Sequence, residues 1–220
     1  MNSWTISIGN DHAVFLSLLC IHITCGFTSF FSAFGAMLSA KGKRWHRLFG
    51  KFFIGAMSGV FVTAIPLSLI IHSLFLFLIA IFSYYLAFSG WRYAKNRSGT
   101  PKAIDWTVSS IMLFASLIMI GLGVVDLAQS NNFKHYVLMI FGMIGLFSST
   151  DDLNTYLNRR AIGQERIIKH LRSMLGATIA AITAFSVTNI PIKPSAILWI
   201  APTLLLTPVI IWWQKRVRNK

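Results

Sequence analysis

The stretch Lys41-Gly-Lys-Arg-Trp-His-Arg-Leu-Phe-Gly-Lys51 is a short basic segment between two long apolar runs. An apolar run of about 20 residues is the length that a helix needs to cross roughly 30 Å of hydrocarbon. Short basic loops beside such runs favour the cytoplasmic side of a membrane. The stretch therefore predicts a turn between two membrane spans, and it indicates the side on which that turn lies.

The rest of the chain repeats this alternation of apolar runs and short basic segments. Of its 220 residues, 55% are hydrophobic and 12% are charged, whereas a soluble domain has about 25% charged residues. We predict an all-α, polytopic membrane protein with a single seven-helix domain over residues 1–220. The predicted spans cover about 13–40, 48–72, 73–93, 106–127, 135–157, 171–190 and 196–213.

The basic residues are sorted to one side of these spans. All of the 20 Lys and Arg residues except Lys134 and Lys193 lie in four segments, 41–51, 92–102, 159–172 and 215–220. With seven spans, this sorting predicts the N-terminus outside and the C-terminus inside. Because the cations lie in short loops, the net charge of +14 predicts anionic lipid headgroups at the inner face as partners, and no nucleic acid.

The start of the chain predicts an uncleaved first span. Residues 1–10 hold no Lys or Arg, and the apolar run that follows is too long for a signal peptide.

In the second span, Gly55-Ala-Met-Ser-Gly59 predicts a close contact with another helix, and Pro66 predicts a kink.

A polar layer is predicted within the membrane. His22 lies inside the first span, and a His in hydrocarbon is costly enough to face the bundle interior. Thr63 and Thr183 fall at a similar depth by residue counting. These three residues are candidates for lining a ligand site; a single structural hydrogen bond from His22 is the alternative.

A second cluster is predicted at the inner ends of the spans. His46 and Arg47 precede the second span, His170 and Arg172 open the sixth, and Asp152 follows Asp151 one to two turns before the fifth span ends. Buried acids need partners. The candidates are Arg44, Arg47, His46, Arg159, Arg160 and His170. Both an ion-pair network that ties helices together and a headgroup, anion or proton site remain open.

A third group of side chains could bind a cofactor. His12, His72 and His135 are predicted at the outer face, near Asp11 and Asp126. Imidazole and carboxylate groups bind divalent metals. The ligand spacing is loose, so these residues are weak candidates for a metal site. A haem b held by two histidines is also open, between His46 and His170 or between His22 and an outer His.

Two sets of residues resemble a family of uncharacterised, predicted bacterial membrane proteins with several spans. The first is His22-xxx-Gly26 followed by His46-Arg47-x-x-Gly50. The second set is Asp152-Leu, His170-x-Arg172-x-Met174 and Thr183-Ala-Phe185, ending at Asn189. The resemblance covers most of the chain except its tail and implies a bacterial inner membrane. It implies no activity, but it marks as positions to test His22, His46, Arg47, Asp152, His170, Arg172, Thr183 and Asn189.

The sequence favours a binding or transport protein over an enzyme, because no nucleotide-binding or nucleophile motif occurs. In this interpretation, a small molecule or lipid enters a polar site lined by His22, Thr63 and Thr183. His46, Arg47, Asp152 and His170 form an inner gate. A redox protein holding haem or metal through its histidines, and a structural or assembly protein, are the alternatives.

Overall fold

The computed structural model describes residues 10–129, 133–158, 161–192 and 196–219, and no strand occurs within these ranges. The helices have 22 to 29 residues, which corresponds to about 33–44 Å at 1.5 Å per residue. All are long and apolar enough to cross a membrane, which confirms the predicted all-α, seven-span fold class. The helices are α1 Asn10–Leu38, α2 Arg44–Ile70, α3 Leu74–Lys95, α4 Ala103–Gln129, α5 Lys134–Asn158, α6 Gly163–Asn189 and α7 Ala196–Arg218.

Several helices extend beyond their predicted apolar spans. α2 begins at Arg44, α6 begins at Gly163 and α7 continues to Arg218, although the apolar spans were predicted to start near 48 and 171 and to end near 213. Hydropathy predicts where hydrocarbon ends, whereas Arg, Lys, Glu and Gln are good helix formers that continue a helix into the interface. His170 therefore lies about two turns inside α6 and does not open it.

The chain divides into two compact units, Met1–Ala80 and Ile81–Lys220. The boundary falls within α3, so the first unit holds α1, α2 and the start of α3. The second unit holds the rest of α3 with α4 to α7. The single domain over residues 1–220 and the direction of the termini remain predictions.

In the first unit, α1 and α2 approach closely at two glycines. A Cβ at Gly35 would lie 2.7 Å from the Phe49 ring, and a Cβ at Gly59 would lie 2.6 Å from Cys25 Sγ. A Cβ at Gly55 would meet nothing within 4 Å. Of the predicted glycine pair, only Gly59 thus makes a close contact. The kink at Pro66, which lies inside α2, remains a prediction.

The turn between α2 and α3 contains a strained residue. His72 has a φ of 51°, a left-handed conformation that favours glycine. Its backbone N–H donates to the Leu69 carbonyl, and the next N–H, at Ser73, donates to the Ser68 carbonyl over 2.8 Å. This pair of hydrogen bonds is a Schellman motif, which satisfies carbonyls at the end of α2.

In the second unit, glycines again permit close helix contacts. A Cβ at Gly90 on α3 would lie 2.9 Å from the Met174 backbone nitrogen on α6. On α5, a Cβ at Gly142 would lie 3.1 Å from the Ser116 carbonyl oxygen on α4. The contact at Gly90 brings the polar faces of α3 and α6 together, and the site described next is built there.

Candidate functional site

Asp152, on α5, is the buried centre of a polar cluster in the second unit. The residue is 1% exposed. Tyr85 OH donates to Oδ2 over 2.8 Å, Ser89 Oγ to the same oxygen over 2.7 Å, and Tyr93 OH to Oδ1 over 2.6 Å. All three contacts come from hydroxyl donors, a pattern that suits a carboxylate because a carboxylate is purely an acceptor.

The three hydroxyl groups come from one face of α3. Tyr85, Ser89 and Tyr93 are spaced four residues apart, so they lie above one another on the helix surface. Their four-residue spacing is a signal in the sequence that could have indicated them, although they were not among the predicted site residues. An apolar helix with a hydroxyl on every turn of one face predicts a polar partner on a neighbouring helix.

Lys169 of α6 is the cation shared by the two acids. Its Nζ lies 2.7 Å from Asp151 Oδ2 and 3.7 Å from Asp152 Oδ1, and its side chain is 3% exposed. Arg172, one turn further along α6, donates to Asp151 Oδ2 as well. Two cations therefore contact Asp151 directly, whereas the charged neighbour of Asp152 is beyond hydrogen-bonding distance. The four side chains together carry no net charge.

One further ion pair and two hydrogen bonds to carbonyls join α3 to α4 and α6. Arg92 on α3 binds Asp105 on α4 through both carboxylate oxygens, at 2.5 and 2.7 Å. Asp105 is 4% exposed and also accepts from the Lys102 backbone N–H over 2.7 Å, which caps α4. Arg166 of α6 donates to two carbonyls in the last turn of α3, each over 2.9 Å. We call this part of the second unit the basic end. It holds the end of α3 with Arg92, the start of α4 with Asp105, the end of α5, and the start of α6 with Arg166.

Neither cation that binds the acids was among their predicted partners. Arg172, a predicted site residue, binds Asp151, and the buried cation is Lys169, whereas the sequence predicted its neighbour His170. His170 Nδ1 donates to the Gly90 carbonyl of α3 over 2.8 Å. Because successive residues on a helix point about 100° apart, one position decides which side chain reaches the carboxylates.

The other predicted partners of Asp152 lie elsewhere. Arg159 and Arg160 are outside the described residues. Arg44, His46 and Arg47 belong to the first unit, so their pairing with Asp152, and with it the predicted inner gate, remains a prediction. In the first unit, His46 Nδ1 donates to the Ala36 carbonyl over 3.0 Å and links the start of α2 to the end of α1. Arg47 is exposed.

The predicted polar layer divides between the units. His22 Nδ1 lies 2.9 Å from Thr63 Oγ1, so the structure brings these two residues together. Thr63 is 5% exposed, and its hydroxyl also donates to the Gly59 carbonyl over 2.7 Å. The Thr63 oxygen therefore accepts from His22. Thr183 is in the second unit, and its buried hydroxyl has no hydrogen-bond partner among the described residues.

Asn189 and the predicted metal ligands are dispersed. Asn189 ends α6, and its amide nitrogen donates to the Phe185 carbonyl over 2.9 Å. His12 and His72 are exposed in the first unit. His135, in the second, is 0% exposed, and neither ring nitrogen has a hydrogen-bond partner in the described part of the chain.

No group of three His, Cys, Asp or Glu residues that could hold a metal occurs among the residues described. The side chain of Asp11 is outside them. A haem b or a divalent metal held by the histidines remains a prediction.

The fold and the cluster at the basic end place the chain in the class of multi-pass α-helical membrane proteins with a buried ion-pair network. Comparison with family models, with curated proteins and with solved structures found no match. The resemblance to uncharacterised bacterial membrane proteins remains a prediction.

Proposed function

We propose that the chain is a binding or transport protein of the bacterial inner membrane, and that its ligand is a small cation or a molecule with a cationic group. The proposed site is the Asp152 carboxylate with its three hydroxyl groups. The observation that supports it is the unequal neutralisation of two neighbouring acids. Asp151 contacts two cations directly, whereas the ammonium of Lys169 is 3.7 Å from Asp152.

Lys169 acts in this proposal as a tethered competitor for the ligand. It is held by Asp151 over 2.7 Å, so it can move away from Asp152 without losing its own counter-ion. The oxygens of Tyr85, Ser89 and Tyr93 would then surround Asp152 as uncharged ligands. Hard cations prefer such carboxylate and hydroxyl oxygens, and an ionisable residue at membrane depth is by default a candidate for function.

The test is the stability of the purified protein in different salts at one ionic strength. Sodium or potassium chloride should stabilise the wild type relative to choline chloride, by about 1.4 kcal/mol when the cation is at ten times its Kd. Lys169→Met should increase this difference, because the competitor is gone. Asp151→Asn should decrease it, because Lys169 then has only Asp152 as a partner.

Two controls make the result decisive. Lys169→Met combined with Asp152→Asn should show no difference between the salts, and Ser89→Ala, a milder change, should reduce it. If the wild type and Lys169→Met respond equally to sodium, potassium and choline, the proposed cation site is wrong.

A structural role is the second candidate, favoured by the number of helices that the cluster joins. Side chains of α3, α5 and α6 meet at the two acids, and Arg92 and Asp105 add α4. In that case every substitution in the cluster should lower stability by the same amount in all three salts.

A further inference from the structure

The cations of the basic segment 41–51 differ from the paired cations of the second unit in having no acidic partner among the described residues. The sequence has no Asp or Glu between Asp11 and Asp105. The basic segment 41–51 therefore has no acid from its own unit to pair with among the described residues. In the second unit, by contrast, Arg92, Lys169 and Arg172 each bind a carboxylate.

Lys41 is used within the protein. Its ammonium donates to the carbonyls of Ala36, Met37 and Ser39 at the end of α1, and partial burial lowers its pKa from the usual value. Besides Lys43, the N-cap residue of α2, this leaves Arg44, Arg47 and Lys51 within the helix. Their side chains are exposed and make no hydrogen bond or ion pair within the described part of the chain.

These three cations share one face of α2. They are spaced three and four residues apart, so they lie on the same side of the helix. Side chains on a helix tilt toward its N-terminus, and long basic side chains extend to the interface when their stems lie in an apolar layer. A Lys51 side chain that follows this tendency can reach back toward Arg44 and Arg47 at the start of the helix.

The same face continues into the membrane as an exposed apolar surface. Leu48, Phe52 and Val62 are 37%, 55% and 64% exposed. Gly55 lies between them, and a Cβ there would meet nothing within 4 Å, so the glycine leaves a notch in the surface. Trp45, 60% exposed, lies at the start of the helix, where Trp rings favour the headgroup level.

We propose that this face of α2 binds one anionic phospholipid, with its phosphate held by Arg44, Arg47 and Lys51. One acyl chain lies along Leu48 and Phe52 and enters the notch at Gly55. Charge complementarity selects the headgroup, because no carboxylate of this unit whose side chain the structure describes competes for these cations. The apolar notch selects a lipid over free phosphate. This inference does not depend on the cation site at Asp152.

The test measures lipid binding to the full-length protein in detergent. Native mass spectrometry would count bound phosphatidylglycerol and phosphatidylcholine as each is titrated. We expect phosphatidylglycerol to bind in preference. The triple variant Arg44→Gln, Arg47→Gln, Lys51→Gln should weaken its binding by about 100-fold, since each cation near a headgroup contributes roughly a fivefold effect.

The control variant is Lys95→Gln, Arg97→Gln, Lys102→Gln, which removes the same charge from exposed residues of another basic loop. It should bind phosphatidylglycerol as the wild type does. An equal loss in both triple variants, or equal binding of the two lipids by the wild type, would overturn the proposal.

A third variant tests the acyl chain without changing charge or topology. Gly55→Leu fills the notch and should weaken phosphatidylglycerol binding by about tenfold, while helix content by circular dichroism stays unchanged. Excess inorganic phosphate should not displace the lipid. Unchanged binding by Gly55→Leu, or displacement by inorganic phosphate, would show that the face does not bind a phospholipid in this way.

Discussion

Replacing Asp152 by Asn should destabilise the protein strongly, although the two side chains have almost the same shape. The carboxylate accepts hydrogen bonds from Tyr85, Ser89 and Tyr93 at 2.6–2.8 Å. A hydrogen bond to a charged group contributes about 1.5–3 kcal/mol, against about 0.5–1.5 kcal/mol for a neutral one. In the variant, each of the three hydrogen bonds is therefore weaker by about 1 kcal/mol. The Asn amide also places an N–H donor beside hydroxyl groups that are themselves donating.

We therefore expect a loss of about 3–5 kcal/mol in the free energy of unfolding, the range for breaking a buried charge network. The measurement is unfolding by SDS in mixed micelles, followed by circular dichroism. Asp151→Asn is the matched control. Its carboxylate is 32% exposed, and a partly solvated pair contributes about 1 kcal/mol.

The hydroxyl groups offer an internal check of this reasoning. Tyr85→Phe, Ser89→Ala and Tyr93→Phe should each cost about 1.5–3 kcal/mol in the wild type and clearly less in the Asp152→Asn background. If Asp152→Asn costs under 1 kcal/mol, or no more than Asp151→Asn, then the three hydrogen bonds do not stabilise the fold as argued.

Three further changes test other contacts by the same unfolding measurement. Gly90→Ala should cost about 1–3 kcal/mol, because its Cβ would lie 2.9 Å from the backbone of α6, whereas Gly121→Ala on an open surface of α4 should be neutral or stabilising; equal effects would contradict the close crossing. His72→Gly should stabilise by about 0.5–1 kcal/mol, because it relieves the left-handed strain, and His72→Ala should not. Arg92→Gln should cost about 2 kcal/mol by leaving the buried Asp105 without its guanidinium, and adding Asp105→Asn should recover part of that loss; strictly additive effects would mean that the pair does not interact.

The helix ends show what hydropathy can and cannot predict. Apolar runs of about 20 residues identified all the spans, because the membrane core has a fixed thickness. They misplaced the start of α6 by two turns, because residues 163–170 are mostly polar but continue the helix. A helix ends where its backbone hydrogen bonds end, whereas the edge of the membrane's hydrocarbon layer ends only the apolar part of that helix.

The candidate site was predictable only in outline. The sequence identified Asp152 as an acid at membrane depth, and it required a cationic partner. It did not distinguish Lys169 from His170, and it did not bring Tyr85, Ser89 and Tyr93 to the carboxylate. Those contacts depend on the rotation of α3, α5 and α6 about their axes, which a list of apolar residues does not specify.

The sequence by itself determined the class of the protein, because a soluble core cannot bury apolar runs of this number, length and spacing. It also determined the sorting of basic residues among the loops. Only the tertiary structure decided that Asp151 holds two cations while Asp152 holds three hydroxyl groups, and that Gly55 is open while Gly59 is packed. Burial in hydrocarbon depends on the composition of each segment separately. The partners of a polar side chain depend instead on which helix faces meet, and close contacts such as that at Gly90 decide which faces do.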